Sequence, residues 1–417
     1  MLKAENEIAV AATQLSQAGQ RLSPVLCAAM LVQFAAGGAV IPFVTLVLRD
    51  RGLEMSRISQ IFLASSATLL VFPFLWGMLA DRYVPLNRLF TLLNVCAGAA
   101  LIAFAQQKTF AGLLVSFTLF TACLSPTFSL INALSFHHLP NPREQFGLLR
   151  AWGSAGWIIP FLPISLWMVF FKQPRLDVAL YLSIGLCFSM AVLSLWLPDT
   201  PPGARRDLAG PASGGTYLPA INRLVRDPNY LVVLASMFLV AGSYSLLMYY
   251  SPPFLEDIGV PRLWIGPIQA IGVLCEVAYF QCQRVLIRRW NYTAIILIGS
   301  TALLTRHLLY SVAESAWILS LSYILAGMVI VFYHMGASLL VNVMAGPSIR
   351  ATAQTLLLFF GSGLGPMFAN WAAGRLAAHY GNNLRPVFVF AAGLAAMAVI
   401  LIALRGRQLN HAGKIPP

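Results

Sequence analysis

Apolar stretches of about twenty residues recur along this chain, from near residue 24 to near residue 404. About twenty such residues are what an α-helix needs to cross the hydrocarbon core of a bilayer. A chain that repeats this feature has few ways to fold. In lipid every backbone N–H and C=O must be satisfied internally, which leaves only helices or closed barrels. The runs are too long for barrel strands, so an all-α polytopic membrane protein is expected. Composition agrees where it matters. Only 10% of the 417 residues are charged, against about 25% in a soluble domain, so most side chains have no water to face.

Twelve spans are expected, near 24–48, 57–80, 88–106, 110–138, 146–171, 177–197, 230–254, 263–287, 291–312, 316–344, 350–378 and 385–404. The Pro and Gly inside them are tolerated where neighbouring helices surround them. Spans six and seven are separated by "PDTPPGARRDLAGPASGGTYLPAINRLVRDPN", whose Pro, Gly and charge read as a linker. The expected organisation is a cytosolic tail over 1–21, a six-helix bundle over 22–197, the linker over 198–229, a second six-helix bundle over 230–405 and a cytosolic tail over 406–417. "WGSAGWIIP" in span five resembles "FGSGLGPMF" in span eleven, which points to a duplicated unit. Small residues spaced in this way let helices approach closely.

With both termini inside, sixteen of the 27 Lys and Arg fall on the cytosolic side and nine on the outer side, while Arg150 and Arg306 lie within spans. The excess follows the positive-inside rule. It explains the net charge of +13 as a topology signal, and no nucleic-acid motif accompanies it. The first residues lack the apolar core of a cleavable leader, and a bacterial inner (cytoplasmic) membrane is the expected location. The six cysteines all lie in apolar runs without a CxxC pair, so packing is expected of them and not metal binding. No Walker loop or HExxH occurs, and "GSGLG" has no βαβ context. Neither enzymatic activity nor a cofactor is expected.

"GMLADRYVPLNR", residues 77–88, joins spans two and three. It resembles the signature loop of the major facilitator superfamily at Gly77, Leu79, Ala80, Asp81 and Arg82, and departs from it at Val84, Pro85 and Leu86. "LLRAWGSAGWIIP" and "SIRATAQTLLLFFGSGLG" resemble the fifth- and eleventh-helix patterns of the branch that holds phenylpropionate permeases, nucleoside–proton symporters and, further off, lactose permease. The resemblance implies two six-helix bundles around a central cavity, with substrate and ion bound near the midplane and exposed to each side in turn. It implies that Gly77, Asp81 and Arg82 gate the cytosolic end.

Few ionisable residues lie well inside the spans. A charge there costs roughly 2.5–3.5 kcal/mol on insertion scales, so each one calls for a reason. Glu276 stands in "GVLCEVAYFQ" of span eight, Arg306 and His307 in span nine, His334 in span ten and Arg150 in span five. Arg306 is the expected partner of Glu276. The resemblance assigns Glu276, Arg306 and His334 to proton coupling, as in lactose permease. It also places Arg150, Ser154, Trp157 and Asn132 against substrate. Ser154 shares a helical face with Arg150, and a guanidinium beside a hydroxyl and an aromatic surface suits a carboxylate or a hydroxyl-rich solute. The helix-four glutamate and second helix-ten carboxylate of lactose permease have no counterpart here. Val331 stands about where nucleoside symporters carry an aspartate.

The resulting expectation is a proton-coupled symporter that imports a small organic solute, an organic anion fitting best. The solute and a proton are its partners, within the lipid bilayer, and the chain acts as a monomer. A proton-driven exporter of drugs or metabolites on the same fold is the alternative, and a non-transporting receptor is a more distant one. Glu276 and Arg306 also fit a structural ion pair. His334 and Trp157 also fit core packing, and His307 fits it better than chemistry. Whether Tyr244, Tyr249 and Tyr250 line a cavity is left open by periodicity.

Overall fold

The computed structural model describes residues 22–171, 175–200, 217–381 and 383–412. Within them twelve helices are long and apolar enough to cross a membrane, and there is no β-strand. They are α1 (Pro24–Asp50), α2 (Met55–Ala80), α3 (Leu86–Gln106), α4 (Phe110–His138), α5 (Gln145–Phe171), α6 (Asp177–Trp196), α7 (Pro228–Asp257), α8 (Arg262–Ile287), α9 (Tyr292–Val312), α10 (Ala316–Ala345), α11 (Thr352–His379) and α12 (Arg385–Leu404). Each expected span has its helix. Most of the sequence over 198–216 and the tails 1–21 and 413–417 lie outside the described residues, while the end of the linker forms a short helix, Tyr217–Arg226.

The packing repeats between halves. Helix α1 packs on α5 and α6, and α3 on α4 and α6, just as α7 packs on α11 and α12, and α9 on α10 and α12. Glycine makes the central contact of each half. A Cβ at Gly156 of α5 would run into the Leu31 carbonyl of α1, and one at Gly365 of α11 into the Phe238 carbonyl of α7. Gly153 faces Met30 as Gly361 faces Met237. The two glycine motifs differ by one residue in their spacing, and the cause is local. Phe359–Leu364 is π-helical, and a π turn fits one extra residue into a helix.

Several helices are interrupted. Helix α1 breaks between Val40 and Val44, around Pro42, and α5 between Ile158 and Phe161, at Pro160. In each case proline removes a backbone donor and crowds the preceding turn. Helix α10 contains a π segment, Val329–Met335, that holds no proline.

A cluster of contacts joins the halves at the end that carries the α1–α2 and α7–α8 turns, opposite the start of α1 and the end of α12. Arg262 forks onto Asp50 at 2.6 and 2.8 Å, and Arg49 reaches Asp257 at 2.7 Å. Deeper in, Thr45 donates to the Tyr249 carbonyl at 2.6 Å, Ser59 and Tyr250 share a 2.6 Å hydrogen bond, and Phe62 stacks on Tyr249 at 4.0 Å. Rim ion pairs contribute only about 0.2–1 kcal/mol each, so the buried tyrosine layer carries more of this closure. Helices α2 and α11 stay in contact as far as Leu70 and Gly363. Beyond it, a Cβ at Gly77 would meet nothing within 4 Å.

Gly156→Ala forces methyl against carbonyl, and overpacking of this kind costs about 1–3 kcal/mol. The purified variant should melt at a lower temperature than wild type, whereas Gly77→Ala should not. Equal melting of Gly156→Ala and wild type would contradict the close-packed α1–α5 contact.

Candidate functional site

Between the halves lies a cavity of about 300 Å³. Arg150, Ser154 and Trp157 present one face of α5 to it by their i, i+4, i+7 spacing, and Gln269, Val273 and Glu276 do the same from α8. Phe34 and Pro42 come from α1, Tyr244, Leu247, Met248 and Ser251 from α7, Arg306 from α9, and Tyr323 and Ile330 from α10. The lining is mostly apolar and aromatic, with a few charged and amide groups set into it.

Arg150 lies with its guanidinium 4.3 Å from the Phe34 ring centre, and its Nη1 is 3.4 Å from Ser154 Oγ. A planar guanidinium makes both contacts at once, which an ammonium does not. Glu276 sits where α8 and α10 nearly touch: a Cβ at Gly327 would be 2.7 Å from the Glu276 backbone nitrogen. Its carboxylate has no ion pair within 4 Å among the described residues, and Arg150 lines the same cavity from the opposite bundle.

Arg306 is only 2% exposed, and its guanidinium lies 4.5 Å from the Tyr323 ring centre. Its Nε and Nη2 are buried without a hydrogen-bond partner among the described residues. A desolvated cation–π contact is worth about 2 kcal/mol, less than the several kcal/mol that burying an ion costs. The Tyr323 ring, with the Tyr310 ring centre as a further contact 6.0 Å from the guanidinium, therefore leaves Arg306 only partly compensated. The Tyr323 hydroxyl is engaged elsewhere, 2.9 Å from Ser251 Oγ. Gln269, two turns before Glu276, has a buried amide nitrogen that is also without a partner among the described residues.

Residues 25–390 match the family model described as the MFS_1 like family. The chain belongs to that family. This facilitator is 25% identical to the "Putative nucleoside transporter YegT" of Escherichia coli (strain K12) over 351 residues, covering 81% of this chain and 80% of that one. It is 26% identical to the "Probable 3-phenylpropionic acid transporter" of the same organism over 271 residues, 64% and 68% of the two chains. Its fold superposes on the crystal structure of a mutant of the nucleoside transporter NupG with a TM-score of 0.80, at 18% identity over 91% of this chain and 98% of that one. The protein is an integral membrane transporter of the major facilitator superfamily.

The facilitator's cavity brings together Arg150, Ser154, Trp157, Glu276 and Arg306. It does not bring together all the residues expected there. Glu276 and Arg306 both line the cavity but form no ion pair within 4 Å, and the Arg306 guanidinium lies over the Tyr323 ring. His334 is not part of the lining. Its Nδ1 lies 3.2 Å from the Val329 carbonyl inside the π segment, and its ring packs against Tyr244 at 5.6 Å. Asn132 is also outside the lining, with its side-chain oxygen buried and unpartnered among the described residues. His307 is a core residue, its Nε2 3.1 Å from the Ser243 carbonyl. Of the three tyrosines, Tyr244 faces the cavity, while Tyr249 and Tyr250 close the end of the bundle. In the gate motif Arg82 is exposed and Gly77 half-buried, and the side chain of Asp81 lies outside the described residues.

Sequence reasoning missed Gln269 and Tyr323. The i, i+7 spacing of Gln269 and Glu276 was a usable signal, since two polar residues two turns apart in an apolar helix share a face. Tyr323 offers none, being one aromatic among many.

Arg150→Lys keeps the charge and loses the flat contact with Phe34 and Ser154. Affinity for a transported solute should fall tenfold or more, roughly 1.4 kcal/mol, by isothermal titration of both forms. Equal affinities would remove Arg150 from the binding site.

Proposed function

We propose that this transporter is a proton-coupled symporter that imports a small organic anion by alternating access across a bacterial inner membrane, with both termini in the cytosol. The observation that carries the reading is a single carboxylate, Glu276, sharing the inter-bundle cavity with Arg150 and Arg306. A carboxylate in such a place is a reversible proton site, and Arg150 lines the same cavity from the opposite bundle. Loading or unloading the proton changes the attraction between the bundles, which couples ion binding to rocking. The positive-inside excess supports an orientation with the closed end outside, which makes the other end the cytosolic one. Gly77, Asp81 and Arg82 then form the gate that shuts that end in the opposite state.

A nucleoside as substrate is the second reading, favoured by the names of relatives such as the YegT protein. Against it, Val331 is fully buried and does not reach the cavity. A neutral nucleoside also leaves the unpartnered Arg306 without a counter-charge.

Two variants test the proposal in proteoliposomes, once a thermal-shift panel of organic acids, nucleosides and saccharides has found a ligand. A ligand at 100 times its dissociation constant stabilises by about 2.7 kcal/mol. Glu276→Gln should abolish uptake driven by an inward proton gradient and spare solute exchange; full accumulation by that variant would rule out Glu276 as the proton site. Asp81→Asn should slow transport and alter labelling of cytosolic-side cysteines with little change in affinity. Unchanged flux and labelling would count against the gate.

A further inference from the structure

We propose that the closed end of the seam between α2 and α11 binds the phosphate of a phospholipid headgroup, and that a lipid held there favours the conformation in which this end is shut. The inference goes beyond the transport reading and uses no group of the central cavity.

A second cavity, of about 390 Å³, lies at that end between the first turns of α2 and the last turns of α11. Ser56, Gln60 and Leu63 line it from α2, and Trp371, Gly374 and Arg375 from α11, so both bundles build it. The buried Ser59 and Asn370 also face it, and the Tyr250 hydroxyl bonds to both, at 2.6 and 3.5 Å. The cavity is therefore backed by the tyrosine layer that closes the bundle. A Cβ at Gly374 would lie 2.9 Å from Ser59 Cβ, so the site depends on α2 and α11 staying together.

Its chemistry selects an anion. No carboxylate lines it, and the exposed Arg375 has no ion pair or hydrogen bond among the described residues. The Ser56 hydroxyl and the Gln60 amide add neutral donors beside that guanidinium. One accessible fork of N–H donors with neutral donors around it suits the several acceptor oxygens of a phosphate. Its surroundings select a lipid. Phe368, Trp371 and Arg375 share one face of α11 by their i, i+3, i+7 spacing. Trp371 is 50% and Phe368 39% exposed, with ring centres 6.1 Å apart. Phe368 lies about 10 Å deeper than Arg375 along the helix. Cation, tryptophan and phenylalanine thus follow one another from the helix end inward, the order in which headgroup, interface and acyl chain follow in a bilayer. Basic pockets between membrane helices hold headgroups in this way. A ligand that fits only the closed arrangement shifts the population toward it.

Phosphatidylglycerol with a photoreactive headgroup tests the site on the full-length protein in nanodiscs, with crosslinks mapped by mass spectrometry. Wild type should crosslink at the α2 and α11 peptides that line the cavity. Unlabelled phosphatidylglycerol should compete, while diacylglycerol, which lacks the phosphate, and soluble glycerol 3-phosphate should not. Arg375→Gln should lower the yield about fivefold, the scale of one basic residue at a lipid surface. Arg57→Gln removes an exposed cation at the same end that does not line the cavity, and should crosslink as wild type does. No crosslink at these peptides, an unchanged yield in Arg375→Gln or an equal loss in Arg57→Gln overturns the site. Competition by diacylglycerol overturns the role of the phosphate, and competition by glycerol 3-phosphate as strong as by the lipid overturns the assignment to a lipid. Closure is read at Thr45→Cys, a buried position of the closing layer outside this cavity. It should react more slowly with an impermeant maleimide in nanodiscs of phosphatidylglycerol than of phosphatidylcholine, and adding Arg375→Gln should remove the difference. Equal rates in the two lipids, or a difference that survives Arg375→Gln, overturn the link to closure.

Discussion

A bilayer gives a backbone nothing to hydrogen-bond to. Every peptide group of a spanning segment must find its partner within the protein, and helices achieve this segment by segment. The same solvent governs how those helices meet. With no hydrophobic force pressing helix on helix in lipid, contacts depend on close packing. In this chain the closest packing is backbone against glycine: α5 on α1 at Gly156, and α11 on α7 at Gly365. These contacts build each six-helix half, and the halves meet around the cavity that holds Arg150, Glu276 and Arg306.

Charge in that region is sparse, two arginines and one glutamate. Arg150 and Glu276 line the cavity from opposite bundles, with no ion pair between them. A direct salt bridge between them would tie the halves together, and the separated arrangement leaves that tie unmade. Arg306 is different. It is buried, over the Tyr323 ring, and its Nε and Nη2 have no acceptor among the described residues. At the closed end Tyr249, Tyr250 and the Arg262–Asp50 pair bind the bundles directly, so strong contacts and an open cavity divide the length of the same interface.

The fold was legible in the sequence because lipid imposes a simple rule on it. Uninterrupted apolar length marks each span, and the glycine-rich motifs of spans five and eleven mark the duplication. The site was half legible. Arg150, Ser154 and Trp157 follow from helical spacing on one element. The pairing of Glu276 with Arg306 did not follow, since which faces of α8 and α9 turn toward each other depends on crossing angles that one strand of sequence does not encode. The π turn at Phe359–Leu364 hid the match between Gly156 and Gly365 by a single residue. The π segment that holds His334 against the Val329 carbonyl carries no proline or glycine run to announce it.

The central claim is that solute and proton cross together in the same direction. It is tested most directly by recording external pH in a lightly buffered suspension of proteoliposomes when a transported solute is added outside. The account predicts a transient alkalinisation as protons enter with the solute, absent from protein-free liposomes. Acidification, or solute entry with no pH change, would contradict it.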